Sequence, residues 1–159
     1  MNNFENIPAE LRPLKQWVLW KLEQVKGKTT KHLYSVGGVK IGANAKYQTE
    51  WASYDQAIAA FEDGGFDGIG FVFTCTPYIG IDLDGCFDEG GNLSAFAAET
   101  LAMTDTYTEY SHSGRGLHII GIGKLPEGKR RNDKLGIEMY GDGSPRYFTM
   151  TGNAYSGGG

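Results

Sequence analysis

Three stretches of the chain carry side chains that can do chemistry together. Asp82-Leu83-Asp84 closes the apolar run YIGIDLD. Residues two apart on a strand project from one face, so both carboxylates point the same way and repel each other unless a cation intervenes. Mg²⁺ takes oxygen ligands and is commonly held by one or two carboxylates together with substrate phosphates. The same pattern also describes two solvated acids at an exposed strand end, ahead of a turn at Gly85. Glu138 lies in GIEMY, where Ile137 and Met139 take one strand face and Glu138 the other. It is a candidate third acid for a two-metal site, or a lone acid on a half-exposed strand. The third stretch is the loop Ser111-His112-Ser113-Gly114-Arg115-Gly116-Leu117-His118. Its glycines let backbone N–H groups approach anionic oxygens, its hydroxyls add donors, Arg115 adds charge-assisted bonds, and His118 can donate from the start of the next strand. That composition suits phosphate. It also fits an ordinary glycine-rich hairpin loop with a surface histidine.

Other chemistries fit worse. His112 and His118 lack HxxxH spacing, and Cys75 and Cys86 form no CxxC pair, which argues against a structural zinc site and a disulfide scaffold. No GxSxG elbow accompanies Ser113, and no GxxxxGK[ST] loop is present, so neither a serine hydrolase nor a P-loop ATPase is indicated.

The elements that must position these residues follow from periodicity. Gln16 to Leu22 is aromatic and β-branched enough for a strand, and a polar turn over Glu23 to Thr30 would return the chain as a hairpin at His32-Leu33-Tyr34. Ser53 is a candidate N-cap for a helix bearing Tyr54, Ala57, Ile58 and Phe61, stopped by Gly64-Gly65. GIGFVF and YIGIDLD read as adjacent strands joined by a turn over Thr74 to Pro77. Leu93 to Met103 has helical spacing and should cover one face of the sheet. Thr106–Tyr110, Leu117–Ile122, Gly136–Tyr140 and Tyr147–Thr151 are four further strand candidates. Runs of strands with few helices and no steady βαβ alternation imply an α+β fold with a mostly antiparallel sheet. At 159 residues the chain fits one domain. No stretch of 18 apolar residues and no basic flank with an apolar run occurs, so no membrane span and no secretory signal is expected, and a cytoplasmic location is read.

Net charge is −4, weakly against nucleic acid as a partner, but its distribution is uneven. Residues 51–110 carry eleven acids and no Lys or Arg, while residues 1–50 carry eight basic residues and residues 111–159 seven. Folding can therefore set a carboxylate cluster beside basic walls, as an enzyme of polyanionic substrates requires, although segregation on a solvated surface would look the same.

The order of these motifs resembles the archaeo-eukaryotic primase superfamily, specifically the primase-polymerase domains at the N-termini of phage and plasmid replication proteins. The likeness runs from WVLW and Lys31 through GIGFVF, IDLDGC, TYTEYSHSGRGLHI, the turn Gly123 to Pro126, EMY and RYFTMTG. The resemblance implies that Asp82, Asp84 and Glu138 form the metal triad for Mg²⁺ or Mn²⁺. It implies that Ser111, Ser113, Gly114, Arg115, Gly116 and His118 grip an incoming nucleoside triphosphate. Lys31, Arg146 and Tyr147 are expected near nucleotide or template. Residues 68–155 would form an RRM-like catalytic module and residues 1–67 a small α/β module beside it, with 156–159 the start of a linker. The implied activity is template-directed nucleotidyl transfer in DNA replication, with single-stranded DNA and a helicase, in the same longer chain or encoded separately, as partners. The alternative is an RRM-like module that binds single strands without catalysis, stacking bases on Trp17, Trp20 and Tyr147.

Overall fold

The structure is a computed structural model that describes residues 2–125, 130–141 and 144–156. Two antiparallel sheets and two α-helices organise these residues, in accord with the α+β expectation. The first sheet has the order β10 (Tyr147–Met150), β4 (Gly68–Val72), β1 (Trp17–Val25), β2 (Lys28–Tyr34), β3 (Lys40–Ile41). The second has the order β6 (Thr108–Tyr110), β7 (Leu117–Ile122), β5 (Tyr78–Leu83), β9 (Ile137–Tyr140), β8 (Arg131–Asn132). Strands β4 and β10, from the expected catalytic module, thus complete the sheet begun by the N-terminal strands. Pro126 and the glycines 157–159, assigned above to a turn and a linker, lie outside the described residues.

Two expectations need correction. The β1–β2 hairpin closes at Lys26-Gly27, both with positive φ, and not over a long polar segment from Glu23 to Thr30. A two-residue turn of that handedness matches the twist of its strands, and the β-branched Thr29 and Thr30 then pair with Gln24 and Glu23. Strands β4 and β5 are not neighbours, because β4 is flanked on both sides by β1 and β10 and has no edge left. The segment between them crosses to the second sheet, with Cys75 in a left-handed conformation and Thr74 tied to the Ala43 carbonyl at 2.5 Å.

The core lies where the sheets meet. Trp17, Leu19, Phe71, Phe73, Phe148 and Met150 pack with Ile120 and the partly buried Tyr78 and Tyr140, and each fully buried large side chain contributes roughly 1.5–3 kcal/mol. Helix α1 (Tyr54–Glu62) adds Tyr54 and Ala57 and starts at Ser53, the predicted N-cap, which the structure shows in a capping box with Gln56. Helix α2 (Ala95–Thr104) covers Ile81, Leu83, Leu117 and Ile119 through Ala97, Phe96 and Leu101. Alternation then sends Asp82 and His118 to the opposite face of the second sheet.

Candidate active site

Strand register gathers the candidate residues. Asp82 on β5 stands directly opposite His118 on β7 and directly opposite Glu138 on β9, and His118 stands opposite Glu109 on β6. Directly paired residues share a face with Cβ atoms about 4.5–5.5 Å apart, so Glu109, His118, Asp82 and Glu138 form one row across four strands. Arg131 on β8 ends the row, opposite Glu138. Like charges directly opposite destabilise a sheet, and here Tyr140 and Arg146 offset the charge of Glu138.

Asp84 lies just past β5, held by the bond from its N–H to the Gly136 carbonyl at 2.7 Å. Gly136 has φ +68°, and a Cβ there would strike the Asp84 carbonyl; a Cβ on Gly116 would strike the Leu83 carbonyl. Both neighbouring loops therefore close on the Asp84 backbone only because glycine stands there. Asp82, Asp84 and Glu138 line a cavity of about 300 Å³ together with Arg131, Asp133, Gly136 and Ile137. Burial, with the nearby Asp84 and Glu138 carboxylates, pushes the Asp82 carboxyl up to about 6. Glu138 is spoken for on both oxygens: Tyr140 donates its hydroxyl to one at 3.2 Å, and Arg146 Nη2 reaches the other at 3.1 Å. Among the described residues, no three His, Cys, Asp or Glu side chains converge as they stand to hold one ion.

Asp82 also lines a second cavity of about 340 Å³, with Lys31, His118, Tyr140, Arg146, Tyr147 and Phe148. His118 is buried and stacks flat on Phe148 with ring centroids 4.0 Å apart. Burial pushes its imidazole down to about 4, an effect that the Thr149 backbone opposes and the Lys31 charge reinforces, so the ring is neutral at pH 7. Its Nε2 lies 3.6 Å from Asp82, too far for a hydrogen bond, and its Nδ1 is buried without a partner among the described residues. Lys31 sits over the Trp20 ring at 4.8 Å, and burial lowers its pKa. The Tyr147 phenol is raised to about 12 by burial.

The loop between β6 and β7 is braced by its own hydroxyls. Ser111 Oγ accepts the Gly116 N–H at 3.1 Å, Ser113 Oγ accepts the Arg115 N–H at 3.2 Å, and the two hydroxyls lie 3.2 Å apart. Gly114 takes φ +77°, and its N–H donates to the Ser111 carbonyl. Arg115 is exposed and faces a different cavity, with Gly85, Phe87, Asp88 and Tyr110. His112 anchors the loop to the first sheet by packing edge-on against Trp20, centroids 4.9 Å apart. Ser111, Ser113, Gly114 and Arg115 thus do not line the cavity that Lys31, His118, Arg146 and Tyr147 share with Asp82, although His112 and Lys31 pack on the same Trp20 ring.

The chain aligns with a DNA primase-polymerase of Nitratiruptor phage NrS-1, 36% identical over 148 residues and 89% of this chain. It is a relative of that phage primase-polymerase. The match supports the resemblance to primase-polymerase-type domains, and the chain spans about a fifth of the relative's length. No known family profile matches the chain. Beside the residues that this resemblance marks, three that sequence reasoning missed lie against the candidate site: Tyr140 and Arg131 beside Glu138, and Phe148 under His118. Tyr140 shares a strand face with Glu138 two residues away, a signal present in the sequence; the Phe148 stack crosses between sheets and leaves no sequence signal.

Proposed function

We propose that this chain is the catalytic domain of a DNA primase-polymerase, which transfers a nucleotide from a nucleoside triphosphate to a primer 3′ hydroxyl, or to a first nucleotide, on a single-stranded template. One observation carries the reading: Asp82 is shared by a carboxylate-lined cavity and an adjoining cavity lined by Lys31, His118 and Arg146. Acids and cationic donors side by side are what a triphosphate and its counter-ions require. The alignment with a phage DNA primase-polymerase supports the same chemistry. The helicase that would open the template is proposed as a partner, in the same longer chain or encoded separately.

Three carboxylates without sulfur suit a hard cation, so Asp82, Asp84 and Glu138 would hold Mg²⁺ or Mn²⁺. Such ions, when bound, lower the pKa of the attacking hydroxyl and offset charge on the leaving pyrophosphate. Lys31, which lines the cavity, and the half-exposed Arg146 supply positive charge to the phosphates. The neutral His118, held by its Phe148 stack, offers a ring N–H to a phosphate oxygen without adding charge. The loop hydroxyls keep the Ser111–Gly116 turn shaped for close approach of anionic oxygens. The new bond forms between the 3′ oxygen and the α phosphorus as the bond to pyrophosphate breaks, and the hydroxyl proton passes to water.

Extension of a labelled primer on single-stranded template, with Mg²⁺ or Mn²⁺, tests this. Lengthened product is expected from the natural chain and at least a 10³-fold loss from the Asp82→Ala/Asp84→Ala variant, on the order of an electrostatic stabilisation removed outright. Single-strand binding unchanged by chelator and by that variant, with no product under any condition, would instead establish the non-catalytic binding module.

A further inference from the structure

We infer that Arg146 is an exchange residue that couples cation binding to triphosphate binding by leaving Glu138 for the phosphates. This inference rests on the proposed nucleotidyl transfer. In the structure Arg146 Nη2 lies 3.1 Å from Glu138 Oε2, while Tyr140 holds Oε1 at 3.2 Å and lies under the Arg146 guanidinium at 5.3 Å. Both oxygens of Glu138 are thereby engaged. A cation drawing on Glu138 competes with the Arg146 guanidinium for the same carboxylate charge, and the half-exposed Arg146 side chain is the partner that can swing away. Its backbone is fixed, since its carbonyl accepts the Phe73 N–H at 3.0 Å and its N–H donates to the Ser144 carbonyl at 2.7 Å. Its side chain is about half exposed, at 51%. Release is therefore a rotation of one side chain, with no change in the strand.

The destination lies next door. Arg146 lines the cavity that holds Lys31 and His118, where the proposed triphosphate would sit. A guanidinium makes bidentate bonds to phosphate as readily as to carboxylate, so the same side chain neutralises Glu138 before substrate and the phosphates afterwards. A cation that frees Arg146 improves triphosphate binding, and by linkage a triphosphate that captures Arg146 improves cation binding. Arg131 provides an internal contrast. It also approaches Glu138, but at 4.0 Å, and its Nε is committed to Asp133 at 2.7 Å.

Direct Mn²⁺ titration by calorimetry, with and without a non-hydrolysable deoxynucleoside triphosphate, separates the possibilities. Without nucleotide, Arg146→Ala is expected to bind Mn²⁺ about two- to fivefold more tightly than the natural chain, the size of an exposed charge pair removed. The triphosphate should strengthen Mn²⁺ binding in the natural chain, and that gain should shrink in Arg146→Ala. Arg131→Ala should leave the gain intact; an equal loss in both variants would reduce the effect to general charge and overturn the exchange. Unchanged or weaker nucleotide-free Mn²⁺ binding in Arg146→Ala would also overturn it. No Mn²⁺ binding in the natural chain would overturn the nucleotidyl-transfer reading itself, a result distinct from loss of coupling alone. Thermal unfolding of each variant checks that the fold is kept.

Discussion

At the scale of single residues, Asp84 depends on glycine more than on any charged neighbour. The two carboxylates of DLD were legible in the sequence because acids ending an apolar run on a two-residue period must share a face. Glu138 was legible as a candidate from its alternation with Ile137 and Met139, which sets it on the opposite strand face. Its position opposite Asp82 was not, since period-two alternation assigns a face and leaves register open. The structure supplies the register, and with it the role of Gly136, whose left-handed φ and close approach to the Asp84 carbonyl admit no side chain. Gly136→Ala is expected to destabilise the chain by about 2–4 kcal/mol, from backbone strain and forced displacement together. Gly114→Ala is a control of the same handedness: φ is +77° but a Cβ would meet nothing within 4 Å, so about 1–2 kcal/mol of strain is expected. Urea unfolding midpoints of the two variants measure the difference, and equal losses would mean that the Asp84 contact carries no energy.

At the scale of elements, sequence patterning located nearly every strand and both helices, yet misjudged how two of them connect. A hairpin was predicted with its turn too long, because the polar residues Glu23 to Thr30 look like loop and in fact form the outer rungs of the ladder. What holds those rungs is a side-chain cluster: Glu23 accepts the Tyr34 hydroxyl at 2.5 Å and lies 2.7 Å from His32 Nδ1. The Tyr34 and His32 hydrogen bonds, with the Lys40 charge, hold the Glu23 carboxyl down to about 2 against its ordinary 4.5. A carboxyl whose folded pKa is depressed stabilises the fold fully above its unfolded value, and that contribution fades as pH falls through the folded value. Glu23→Gln should therefore lower Tm slightly at pH 7, and the gap from the natural chain should close between about pH 4.5 and 2. Thermal melts across that range measure it; a gap that widens on acidification would show that Glu23 is not held as the hydrogen bonds imply.

At the scale of the whole molecule, the site exists because two sheets share one core. Lys31 and Arg146 reach the second cavity from the first sheet and its approach to β10, whereas Asp82 and His118 come from the second. The chain order hides this, since β4 and β5 are only a short crossing apart in sequence and belong to different sheets. Residues 1–67 contribute Trp17, Leu19, Tyr54 and Ala57 to the core around Phe71 and Phe148, and β1 covers one whole edge of β4. The first and last described segments are tied in as well. Buried Glu109 accepts the N–H groups of Thr151 and Gly152, both at 2.9 Å, and the Asn3 N–H donates to the Thr151 carbonyl at 2.7 Å. A functional division near residue 67, as the family resemblance implies, would therefore not be a folding division. Residues 68–156 produced alone should lack a fixed core: β4 would expose the edge that β1 covers, and Phe71 would lose the Trp17 ring that packs edge-on at 5.2 Å. Poor amide dispersion in ¹H–¹⁵N spectra and loss of near-ultraviolet dichroism are expected for that fragment, beside a single cooperative transition for the full chain. A well-dispersed fragment that still binds Mn²⁺ would mean instead that the second sheet, with β4 and β10, carries enough core of its own to position the carboxylates.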